Sequence, residues 1–76
     1  MEIKVCGPGC GKCHETERIV REALAEAGKE AAVVKVSDFN EIAGLGVFST
    51  PAVVIDGQVK CVGKVPSKKE VLAWIG

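Results

Sequence analysis

Tyrosine is absent from this 76-residue chain, methionine occurs only at Met1, histidine only at His14, and the aromatic residues are limited to Phe39, Phe48 and Trp74. With so few large rings, a core must be assembled from Val, Ile, Leu and Ala, which the 47% hydrophobic composition supplies. At this length only about 60–65% of the unfolded surface is buried on folding, so residues 1–76 are expected to form a single domain with no room for a second. An excess of either charge is also missing: ten basic residues balance ten acidic ones. Nucleic-acid and anionic-membrane binders normally gather a basic excess on one face, so those partners are not expected. The longest uncharged stretch, Ile42 to Ile55, is shorter than the roughly 20 apolar residues of a membrane helix and is interrupted by Pro51. Charges at Glu2 and Lys4 stand where a secretory signal would carry its apolar run, which points to a cytoplasmic protein.

Cysteine, by contrast, is plentiful and unevenly placed. Cys6, Cys10 and Cys13 fall within eight residues, and Cys61 stands far from them. Such clustering suggests chemistry rather than a disulfide framework. Cys61, in an alternating stretch that puts it on the same face as Val59, reads as a small buried hydrophobe.

The pattern around these residues predicts the order β-α-β-α-β-β-α. Glu2 to Cys6 is a short strand, and Cys6-Gly7-Pro8-Gly9 is a turn. A helix follows as far as Ala27, with Gly28 ending it. Thr16, Val20, Ala23 and Ala27, with Ile19 and Leu24, form its packed stripe, and Glu17/Arg21 and Arg18/Glu22 pair on the outside. Ala31 to Val36 reads as a strand buried on both faces, as in a parallel sheet. Asp38 with Glu41 opens a short helix that Gly44 and Gly46 stop. Ala52 to Ile55 is the third strand, and Asp56-Gly57 is a hairpin signal that pairs it with Gln58 to Val62. Ser67-Lys68-Lys69-Glu70 is a capping box, opening a last helix whose Val71, Leu72, Trp74 and Ile75 can cover the sheet. These elements predict an α/β fold: a four-stranded mixed sheet with helices on both faces. In it the first strand runs parallel to the second and in part to the third, and the hairpin strand lies at the edge.

Cys10-Gly11-Lys12-Cys13 after the first strand, with Thr50-Pro51 opening the third, resembles the thioredoxin fold, and most closely the minimal redox-active disulfide proteins of prokaryotes. The resemblance covers nearly the whole chain. It implies a thiol–disulfide oxidoreductase without cofactor or metal, acting as a monomer on protein disulfides and drawing electrons from a thioredoxin-reductase-type donor or from glutathione. Cys10 would be the attacking thiolate and Cys13 the resolving thiol. Pro51 would be a cis proline facing the sulfurs, and Thr50 would offer main-chain groups to a substrate. Gly11, Lys12 and His14 would tune the site. The chain also departs from its relatives. Gly9 stands where thioredoxins carry Trp, and the Gly-Lys dipeptide is neither Gly-Pro nor Pro-Tyr, which leaves the direction of electron flow open. Residues 62–67 lack the Gly-Gly and paired Asp that glutaredoxins use for glutathione.

Other chemistries use similar strings. Cys6-x-x-x-Cys10-x-x-Cys13 has the spacing of radical-SAM cluster ligands, but nothing in this length supplies their barrel. Cys10-x-x-Cys13-His14 matches a c-type haem attachment string, against which stand the missing export signal and the lack of a second Met. Copper chaperones share the Cys-x-x-Cys after a first strand but place their hairpin in mid-chain. A metal carrier or sensor using Cys6, Cys10 and Cys13, with His14 available, stays open beside the oxidoreductase.

Overall fold

The computed structural model of the chain describes residues 1–9 and 11–76. Four strands and three helices follow one another as β1 (Glu2–Cys6), α1 (Gly11–Ala27), β2 (Ala32–Val36), α2 (Phe39–Gly44), β3 (Ala52–Ile55), β4 (Gln58–Val62) and α3 (Lys68–Ile75). The sheet order is β2-β1-β3-β4, with β1 and β2 parallel and the other neighbours antiparallel. This is the mixed α/β sheet read from the sequence, with β4 at the edge.

The strand directions correct one expectation, for β3 runs wholly antiparallel to β1, with Cys6 opposite Ala52 and Ile3 opposite Ile55. The paths of the two connections differ. A parallel partner needs a crossover that carries the chain back along the sheet, as the 17-residue α1 does between β1 and β2. The connection from β2 to β3 instead winds through the six-residue α2 and the loop after it, and returns the chain to the end of the sheet where β2 left it.

The two faces of the sheet are covered unequally. On one, Ile3, Val5, Val53, Ile55 and Cys61 pack against Val20, Ala23 and Leu24 of α1 and Val71 and Ile75 of α3, with Leu72 and Trp74 at the margin. On the other, Cys6, Val36, Ala52 and Val54 meet Ile42 of α2 and Val47. Because α2 is short, this second face is only partly roofed. That is why β2, expected to be buried on both faces, exposes Ala32 and Val34 on this side and buries only Val36, while Lys35 is exposed at the sheet margin on the α1 side. Ala27, expected in the packed stripe of α1, is exposed in its last turn.

A register shift between Val53 and Val54 accounts for a further difference. Cys61 pairs with Val53 and Val59 with Val54, leaving Lys60 as the extra residue of a bulge. Val53 and Val54 point to opposite faces, so Val59 and Cys61 do too: Val59 is 40% exposed and Cys61 only 7%. They do not share the face that simple alternation assigns them.

Local signals in the sequence define the ends of the elements. Gly28, at φ 66°, closes α1 with its N–H on the Ala25 carbonyl and that of Lys29 on Leu24, the paired bonds of a left-handed helix stop. Asp38 caps α2 by accepting from the Asn40 N–H at 2.8 Å. Asp56 and Gly57, at φ 48° and 83°, make the tight turn between β3 and β4. At α3 the capping box is complete: Ser67 Oγ accepts from the Glu70 N–H and the Glu70 carboxylate accepts from the Ser67 N–H, each at 3.2 Å.

Replacing Ser67→Ala removes half of that reciprocal cap and should cost about 1 kcal/mol. For a domain of this size the melting temperature should fall by about 4–8 °C, measured by circular dichroism. A second expectation concerns alkaline stability. Burial holds the thiols of Cys6 and Cys61 protonated beyond their ordinary pKa of 9.0. Above about pH 9 the unfolded chain has released protons that the folded chain retains, so stability declines as pH rises toward the raised values of the fold. Melting temperatures between pH 8 and 10.5 should drop more steeply for the wild type than for Cys61→Ala.

Candidate active site

The antiparallel register of β1 and β3 brings two separate stretches to one end of the sheet. Cys6 stands opposite Ala52, so the residues that follow Cys6 meet those that precede Ala52, which are Thr50 and Pro51. The Thr50–Pro51 peptide bond is cis and Pro51 is buried, its carbonyl accepting from the Gly63 N–H at 2.9 Å. Gly7 is held at the end of β1 by donating its N–H to the Val36 carbonyl at 2.8 Å.

Against Gly7 lies Cys13, from the first turn of α1. A Cβ built on Gly7 would stand 2.1 Å from Cys13 Sγ and 3.7 Å from the Thr50 Cβ. The sulfur therefore occupies the space that any side chain at position 7 would need, and Thr50 borders the same recess. Cys13 is itself only 3% exposed. One turn further on, the fully buried Thr16 donates its hydroxyl to the Lys12 carbonyl at 2.8 Å, which anchors this end of the helix.

The electrostatics of the helix start suit an anion. The N–H groups of the first turn have no partner within the helix and carry its positive dipole end. No acidic residue stands in that turn, whose Gly11, Lys12 and His14 are exposed. Cys10, to which the sequence assigns the attacking thiolate, lies outside the described residues.

Cys6 points elsewhere. Its side chain is fully buried in the cluster roofed by α2, where desolvation raises its pKa above the ordinary value. Among the described residues no three His, Cys, Asp or Glu side chains are grouped to hold a metal ion, so Cys6, Cys13 and His14 are not assembled into one. Nor is any helix of the described residues long and apolar enough to cross a membrane. Cys61 belongs to the core beneath α1 and α3.

Gly7 is the site residue that the sequence marks only as part of a turn. Gly7→Ala should destabilise the protein by about 1–3 kcal/mol through overpacking against Cys13 Sγ. Gly11→Ala, where a Cβ meets nothing within 4 Å, should leave stability unchanged or slightly raised. Denaturant unfolding of the two variants checks the contrast, and equal effects would contradict the recess.

Comparison with known proteins agrees with this geometry. A family profile described as a thioredoxin domain matches residues 1–76. A thioredoxin of Methanocaldococcus jannaschii is 45% identical over 69 residues, covering 91% of this chain and 79% of the relative. A thioredoxin of Methanothermobacter thermautotrophicus is 35% identical over 71 residues, covering 93% of this chain and 92% of the relative. With the mixed sheet, the Cys13 recess at the helix start and Thr50–Pro51 beside it, these matches make the chain a member of the thioredoxin family.

Proposed function

We propose that the protein, acting as one thioredoxin-like domain, is a thiol–disulfide oxidoreductase that exchanges electrons with protein disulfides through Cys10 and Cys13. The observation that carries the reading is the seat of Cys13 Sγ, in the space left by Gly7 and beside Thr50, at the start of the helix that follows β1.

The cycle follows from the chemistry of that position. Cys10 directly precedes Gly11 in the sequence and Lys12 follows it, and in Cys-x-x-Cys motifs of this kind the first thiol is the one favoured as a thiolate. The thiolate attacks one sulfur of a substrate disulfide. A bond forms between Cys10 and that sulfur, and the other substrate sulfur leaves as a thiolate and takes a proton. Cys13 then loses its proton and attacks the Cys10 sulfur, forming the Cys10–Cys13 disulfide and releasing the second substrate thiol. Two electrons pass from the protein to the substrate, and of the two protons that the substrate thiols take up, one is matched by the proton Cys13 loses and the other comes from solvent, which received it when Cys10 ionised. In the opposite direction the oxidised pair accepts them. Thr50, just before β3, offers main-chain groups along which an extended substrate segment can lie.

The reduced form requires a donor, a reductase of the thioredoxin-reductase type or glutathione, and a reducing compartment such as the cytoplasm suits it. The thiolate metal carrier lacks comparable support, since Cys6 is committed to the packed cluster under α2.

Cys10→Ser should abolish reduction of an insulin-type protein disulfide, whereas Cys13→Ser should retain the first attack and accumulate mixed disulfides, visible by mass spectrometry. Equal trapping by both variants would overturn the assignment of roles. Cys6→Ala should retain turnover and bind no less metal than the wild type. Running the assay with a thioredoxin-reductase system and with glutathione identifies the donor.

A further inference from the structure

Two of the three aromatic side chains in the protein face solvent, and both border one groove. Phe48 is 85% exposed and Phe39 is 66% exposed. Between them runs a groove of about 250 Å³ lined by Phe39, Ile42, Ala43, Val47, Phe48 and Thr50, among other residues. Ile42 and Val47 are buried and form a fixed apolar base, continuous with the cluster on that face of the sheet. Among the described residues, no charged side chain lines it.

The groove is continuous with the proposed redox site. It ends at Thr50, whose Cβ lies 3.7 Å from the Cβ position of Gly7, against which Cys13 Sγ is seated. Its volume falls below the roughly 300–1,000 Å³ of small-molecule sites, so it suits one side chain better than a free ligand. An extended segment lying along Thr50 advances about 3.3 Å per residue, which brings a side chain close to its reacting cysteine over the groove. Exposed rings around an uncharged hollow favour an apolar side chain there and leave a charged one without a partner.

We propose that this groove selects the substrate: it receives a bulky apolar side chain located within about two residues of the disulfide cysteine, clasped between Phe39 and Phe48. The proposal rests on the dithiol reading and adds to it a class of substrate sequence. Phe39 and Phe48 are specificity residues, remote from the sulfur chemistry.

The test uses two peptide disulfides, identical except for Leu or Ser two positions from the cysteine, together with hydroxyethyl disulfide, which has no side chain to seat. The wild type should reduce the Leu peptide about tenfold more efficiently than the Ser peptide in kcat/KM, the scale on which an apolar pocket discriminates. Phe48→Ser should bring that ratio close to one, and Phe48→Leu should restore most of it. Because both peptides are measured on the same preparation, a general loss of fold or of thiol reactivity lowers both rates and leaves the ratio alone. A ratio near one in the wild type, or one that survives in both Phe48→Ser and Phe39→Ser, overturns the proposal. So does a wild-type dimer in sedimentation that Phe48→Ser converts to monomer, since a second copy would then fill the groove. Failure of the dithiol reading has a separate signature: hydroxyethyl disulfide reduced no faster by the wild type than by Cys10→Ser.

Discussion

The pairing of Cys6 with Ala52 across antiparallel strands is the constraint from which the site follows. One ladder contact decides that the end of β1 and the start of β3 lie side by side, and with them Gly7 and Thr50–Pro51. Had β3 run parallel to β1, Pro51 would stand at the far end of the sheet, about a strand length away from Cys13. The connection through α2 returns the chain to the end of the sheet where β2 finished, so a connecting segment with no part in the chemistry sets where the chemistry can occur.

How far the sequence reveals this differs by feature. Element order and boundaries are legible because each depends on nearby residues: Ser67 with Glu70, Asp56 with Gly57, Gly28 after the apolar stripe of α1. The direction of β3 is not, because it depends on the path taken by the connection through α2, which no local signal marks. The facing of Val59 and Cys61 is likewise hidden, since a single extra residue, Lys60, reverses the alternation partway along β4. Exposure of β2 depends on how much roof α2 provides, a property of the assembled layers.

The same division applies to the site. Cys10-Gly11-Lys12-Cys13 is conspicuous in the sequence, and Pro51 is conspicuous at a strand start. Gly7 is not, because what matters there is an atom it lacks, and the need for that absence comes from a sulfur six residues later. Phe48 lies just before Ser49-Thr50-Pro51, a position where an aromatic residue could have drawn notice, but only the fold shows that Phe39 stands across a hollow from it. Cys6 illustrates the converse. Its spacing suggests participation, and the pleat sends its side chain to the opposite face from Val5, into packing with Ile42 and Val47.

The bulge at Lys60 also bears on how the molecule behaves among many copies of itself. A sheet with two open margins offers unpaired backbone groups as a template on which further chains can add, the route toward ordered aggregates. Here the β4 margin is kinked by an unpaired residue bearing a cation, and the β2 margin carries Lys35, tied at 3.5 Å to Glu17 of α1. Neither margin is both flat and uncharged. On a protein whose α2 face leaves Val34, Val59 and Val62 open to water, strand addition thus meets a distortion on one side and a charge on the other.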